Sequence, residues 1–276
     1  MATATATAEI APARTSRWTY LLAYLALGIV AEILIAVPGP PNGEGRPLQP
    51  IGLGMHILLV FTLIFLSVFL QAKDARLASL VRVFSLAVPR FAFLATPESN
   101  VYNTIPWLAL VSVPLLVSVA AVAYVQGLRP RDLGLLIHRW QEVPLQLAVA
   151  MTGLPLGLLE FAILRPHAWI QQETTVLLLT GGLVIFLATG LSEELIFRGI
   201  LLTRAVEALD ERYGLLYVTA IFASLHLYFL SATDMVFVFA VGLFYGFVVL
   251  NTKNLWGVIL SHSLGNVILY LVAPFH

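Results

Sequence analysis

The stretch Thr174–Arg198, TTVLLLTGGLVIFLATGLSEELIFR, decides how this chain is read. Its first 18 residues, 174–191, carry no charge. That is close to the roughly 20 apolar residues a helix needs to cross the hydrocarbon of a bilayer. Two glutamates and an arginine follow without a break. Ser192 is a residue type that caps helix starts, so a new helix is expected to begin there. Within it Glu194 and Arg198 stand four apart and share a face, where they pair. Glu193 points about 100° away from that face. An acidic first turn followed by a base also fits an ordinary helix start at the membrane surface.

The rest of the chain agrees with a membrane setting. Hydrophobic residues make up 59% of its 276 positions and charged residues only 11%, against roughly 25% charged in soluble domains. Mean hydropathy is +0.92. No soluble fold of this size hides so much apolar side chain. The 15 basic and 15 acidic residues cancel, which argues against a nucleic-acid-binding surface. With no cysteine, disulfides, thiolate metal sites and a cysteine nucleophile are excluded.

Residues 1–16 read as a disordered Ala/Thr-rich tail, with a short transit peptide as the alternative. The first apolar run, 18–37, is too long for a signal-peptide core and meets no A-x-A cleavage pattern, so it reads as an uncleaved span. Further spans are expected at 51–72, 104–126, 143–164, 174–191, 214–230, 235–251 and 255–273, which makes eight. The segment 77–95 is apolar but carries Arg82, Pro89 and Arg90, and either lies on the surface or crosses. Lys and Arg accumulate on the cytoplasmic side. With 77–95 crossing and the N-terminus inside, the basic residues divide eleven inside to two outside; with 77–95 flat they divide seven to eight. Nine crossings is therefore the expectation. The fold class is all-α, a polytopic transmembrane bundle of eight or nine spans. Residues 17–142 form an N-terminal membrane region, and 143–276 form a C-terminal core. A multi-pass protein with a cytoplasmic N-terminus follows, in the inner (plasma) membrane if the source is prokaryotic.

A charge near the bilayer centre costs about 2.5–3.5 kcal/mol on insertion scales, so ionisable residues there are candidates for function. Two more segments join Glu193–Arg198. One is Phe222-x-x-x-His226, in IFASLHLYF; the other is His262-x-x-x-Asn266, in VILSHSLGN. The spacing of four puts imidazole and amide on one helix face, one turn apart. Taken singly, such residues also serve as hydrogen-bonded glue between membrane helices. Together a carboxylate pair, two histidines and an amide supply a base, a second proton-handling group and oxyanion donors. Gly153-x-x-x-Gly157 and Gly242-x-x-x-Gly246 read as close-packing positions only.

E-E-x-x-x-R, then F-x-x-x-H, then H-x-x-x-N, in that order on membrane helices, resembles the CPBP intramembrane proteases. These include the type II CAAX prenyl endopeptidases and the bacteriocin-processing or self-immunity proteins. The resemblance covers roughly 174–273, and the first half of the chain matches only as generic spans. It implies that Glu193 activates a water molecule and that His226 positions it and handles its proton. It further implies that His262 and Asn266 stabilise the oxyanion, that Glu194 and Arg198 support the site, and that Phe222 packs beside it.

Glu193, His226 and His262 are also ligand types for an open zinc site. The signature H-E-x-x-H is absent, and an asparagine four residues after a histidine suits an oxyanion hole better. No cofactor is expected, with zinc at those three residues as the alternative. The expected function is an intramembrane endopeptidase that cuts a membrane-associated peptide or protein near the cytoplasmic face. The alternatives are a non-catalytic scaffold of the same family and a proton-coupled transporter. The transporter is disfavoured because Glu32 and Glu160 stand isolated in other spans. The expected partners are that substrate and the lipid bilayer, with no nucleic acid.

Overall fold

A computed structural model describes residues 14–39, 45–85, 104–137 and 139–276. Among the described residues nine helices follow one another and no strand forms. Helices α1 (Arg14–Ala36), α2 (Gln49–Gln71), α3 (Ala75–Phe84) and α4 (Thr104–Val125) come first. They are followed by α5 (Trp140–Leu164, interrupted at Thr152), α6 (Thr175–Ala208), α8 (Ala232–Thr252) and α9 (Trp256–Phe275). Between α6 and α8 lies α7 (Glu211–Ser224), which a 3-10 stretch extends to Phe229. Helices are what a bilayer permits, because each backbone N–H and C=O finds its partner inside its own segment. The protein is an all-α, polytopic membrane bundle.

Seven of the nine helices are long and apolar enough to cross a membrane, all except α3 and α7. The expected span at 214–230 is thus helical but is not one of the seven. Of the expected crossing at 77–95, α3 covers the first part, and residues 86–95 lie outside the described residues. The ends of the helices give the layout. Arg17 at the start of α1 is hydrogen-bonded to Asp74, which caps α3, and to the carbonyl of Ala208 at the end of α6. Gln126, just after α4, bonds Ser79 of α3, and its carbonyl accepts from Arg204. These residues mark one end of the bundle. The 22 residues of α4 rise about 33 Å, so Ile105 lies at the other end, where it packs with Trp169 and Tyr270.

Large apolar side chains such as Leu58, Phe65 and Val68 on α2 and Val113 on α4 face outward, where lipid covers them. The core joins both halves of the chain: Leu21, Leu77 and Phe84 belong to one cluster with Phe197, Phe222 and Ile259. Residues 192–202 of α6 are buried on every side, which makes this stretch the axis of the bundle.

The helix start expected at Ser192 does not form. α6 runs unbroken through it, and the Ser192 hydroxyl donates to the carbonyl of Ala188. A break there would strand backbone polar groups away from water, so the chain stays helical and the hydroxyl bonds back to its own turn. On either side of Ser192–Glu194 the helix widens into π-helical turns, Phe186–Leu191 and Leu195–Leu201. Such widenings are uncommon and recur at functional sites.

The pair Gly153 and Gly157 closes α5 directly onto α9. A Cβ on Gly153 would overlap the carbonyl oxygen of Ser261, and one on Gly157 would meet the backbone of Gly265. Gly242 does more than the packing expected of it. It leaves room for Arg198, whose Nη2 would lie 3.4 Å from an added Cβ.

Candidate active site

The narrow α-helical turn between the two π segments presents Glu193 and Glu194, which are 5% and 0% exposed. One turn on, Arg198 donates from Nη1 to Glu194 Oε1 at 3.0 Å. Its guanidinium also lies 4.2 Å over the ring of Phe222 from α7. Both charges are taken out of water, which such a pair tolerates only when it is well bonded. From α9, His262 places Nδ1 2.8 Å from the same Oε1. Its Nε2 lies 3.9 Å from Glu193 Oε2. One imidazole thus spans both glutamates.

Phe222 is the hub on the other side. Its ring centre is 5.5 Å from that of His226 and 6.2 Å from that of His262, the latter perpendicular to it. His226 sits in the 3-10 stretch that ends α7, with Nδ1 3.4 Å from the Phe222 carbonyl. Asn266, one turn beyond His262, donates from Nδ2 to Thr189 Oγ1 at 3.1 Å. Thr189 in turn donates to the carbonyl of Ile185 and lies one turn before Glu193. The amide is therefore held against the helix that carries the glutamates.

All seven residues singled out in the sequence come together here: Glu193, Glu194 and Arg198 from α6, Phe222 and His226 from α7, and His262 and Asn266 from α9. Several neighbours were not foreseen. Thr189 receives Asn266. Tyr245 of α8 lies 5.7 Å from the Arg198 guanidinium and 6.3 Å from the His262 ring. Its hydroxyl is 2.8 Å from Ser261 Oγ, which is 2.8 Å from Thr152 Oγ1. This hydroxyl chain ties α8, α9 and α5 together behind the site. A tyrosine or threonine in an apolar run carries no spacing signal, and only Gly242, three residues before Tyr245, hinted at a close approach.

The two acids read as isolated are not. Glu32 Oε1 lies 3.1 Å from His56 Nε2, and both residues are buried. Glu160 stands within electrostatic reach of Asp234 and Tyr245. Among the described residues no three His, Asp or Glu side chains are gathered so as to hold a metal ion. In the trio Glu193, His226 and His262, one nitrogen of His262 is engaged by Glu194 and the ring of Phe222 lies against both histidines.

Residues 174–268 match the family described as Type II CAAX prenyl endopeptidase Rce1-like. Searches of curated proteins and of solved structures give no match. The matched segment covers about a third of the chain and contains Glu193, Glu194, Arg198, Phe222, His226, His262 and Asn266. The segment 174–268, which holds the glutamate pair, both histidines and the asparagine, is similar to the Rce1-like type II CAAX prenyl endopeptidases.

Proposed function

We propose that this chain is an intramembrane endopeptidase that uses Glu193 to activate water. The observation that carries this reading is the closure of three helices on one buried centre. There His262 bonds Glu194 and faces Glu193 at 3.9 Å. In the reaction the Glu193 carboxylate takes a proton from water, and the resulting hydroxide attacks the carbonyl carbon of the scissile bond. His226 orients that water and shares its proton. The oxyanion of the tetrahedral intermediate accepts hydrogen bonds from Asn266 Nδ2 and from Nε2–H of His262, which donates there as the imidazolium because its Nδ1–H is given to Glu194. When the C–N bond breaks, the proton held by Glu193 passes to the leaving amine. Glu194, bonded to Arg198, fixes the His262 ring, and Phe222 keeps both imidazoles in place.

We read the reaction as metal-free, because the acid–base groups it needs, Glu193 and His226, are already present. The substrate is a membrane-associated peptide or protein. The end of the bundle that holds Arg17, Arg204 and Asp74 is rich in Lys and Arg and is read as cytoplasmic. Incubation of the reconstituted protein with a membrane peptide library, with and without a zinc chelator, tests the reading. Cleavage that survives chelation supports it, and loss that added zinc restores overturns the metal-free mechanism.

A further inference from the structure

Two carboxylates outside this cluster have no part in its chemistry. Asp234, in the first turn of α8, is 0% exposed, and neither of its side-chain oxygens has a hydrogen-bond partner. Glu160 lies on the half of α5 that packs against α8, the helix of Asp234, so the two charges repel each other. Among the described residues no basic side chain pairs with either acid.

Their placement relative to the site follows from the helices. Asp234, Val238, Gly242 and Tyr245 are all buried and recur at helical spacing, so they form one stripe along α8. That stripe starts beside Arg198 and His262 and runs to the beginning of the helix. Helices α5 and α9 pack in parallel, Gly153 on Ser261 and Gly157 on Gly265, so Glu160 lies further along in the same direction. The acids thus extend from the catalytic centre toward the end of the bundle opposite Arg17.

A buried carboxylate without a partner is costly, and a second one beside it raises the cost. A cation that arrives with the substrate removes both penalties. With two carboxylates and no third ligand gathered beside them, the pair suits an ammonium or guanidinium group, which donates charge-assisted hydrogen bonds to two acids at once, rather than a metal ion. We infer that Glu160 and Asp234 form an anionic subsite that receives a lysine or arginine side chain of the substrate. The peptidic nature of that substrate rests on the endopeptidase reading above. Tyr245 and Asp234 are 11 residues apart on α8, about 16 Å along the axis. An extended peptide covers this in about four to five residues, which sets the position of the cation relative to the cleaved bond.

The test uses the full-length Glu193→Gln protein in detergent, which binds substrate without consuming it. Apolar membrane peptides carry one lysine walked residue by residue, each with a norleucine twin of the same length. At one lysine position binding is expected to be about ten-fold tighter than for the twin, the scale of a charge-assisted pair. Adding Asp234→Asn or Glu160→Gln is expected to abolish that preference and leave the norleucine peptide bound as before. Equal binding of both peptides at every position overturns the subsite, as does a lysine preference that survives both substitutions. Should Asp234→Asn fail to fold, Glu160→Gln decides alone. A lysine preference that holds while the wild-type protein leaves every peptide intact supports the subsite and removes the endopeptidase reading.

Discussion

Glu194 holds His262 by its ring: Nδ1 lies 2.8 Å from Oε1, the same oxygen that accepts from Arg198. A single buried carboxylate thus ties the first motif to the last. Glu194→Ala leaves Arg198 buried without its counter-charge, which costs about 3–5 kcal/mol of stability. Glu194→Gln keeps a hydrogen-bonding oxygen and is expected to lose less stability while still impairing hydrolysis. Thermal unfolding of the purified variants in detergent, together with their cleavage rates, separates the two effects.

Asn266 is held in place by Thr189. Removing an oxyanion donor costs about 2.7–4 kcal/mol in the transition state, so Asn266→Ala is expected to lower kcat about 10²–10³-fold with KM little changed. Thr189→Val leaves the amide without its acceptor, and a smaller fall in kcat is expected. An effect of Asn266→Ala confined to KM would contradict the oxyanion role.

The backbone approach of α5 to α9 predicts a sharp contrast among glycines. Gly153→Ala and Gly157→Ala drive a methyl group into the backbone of Ser261 and Gly265, with an expected loss of about 1–3 kcal/mol. Gly28→Ala and Gly54→Ala meet nothing within 4 Å and are expected to be neutral or to stabilise by up to about 1 kcal/mol. Melting temperatures of the four variants in one detergent test the contrast.

The Glu32–His56 pair is expected to behave as a structural bond between α1 and α2. Each single change to leucine leaves a buried polar group facing an apolar one and destabilises. The double change Glu32→Leu/His56→Leu removes both and is expected to recover most of the loss, as replaced buried pairs often do. A double-mutant cycle on unfolding measures the coupling, and simple addition of the two losses would contradict the pairing.

What could be read from the sequence was what lies within one helix. Glu194 and Arg198 pair because four residues make about one turn, and His262 with Asn266 follow the same rule. Contacts between helices were not legible. Nothing in the spacing says that His262 reaches Glu194, 68 residues away, or that Glu32 meets His56, 24 residues away. Ser192 misled because serine caps helices where water is present to take the freed backbone groups. In an apolar run it bonds back to Ala188 instead. Gly242 shows the same limit from the packing side, since its missing side chain makes room for a charged group from another helix.

The central claim is that Glu193 is the base. Its most direct test is hydrolysis of a reconstituted membrane peptide by the wild-type protein and by Glu193→Gln, with peptide binding measured on both. The account predicts cleavage by the wild type, with incorporation of solvent oxygen into the new carboxylate. For Glu193→Gln it predicts no detectable cleavage while binding is retained. Cleavage by Glu193→Gln at the wild-type rate would contradict it.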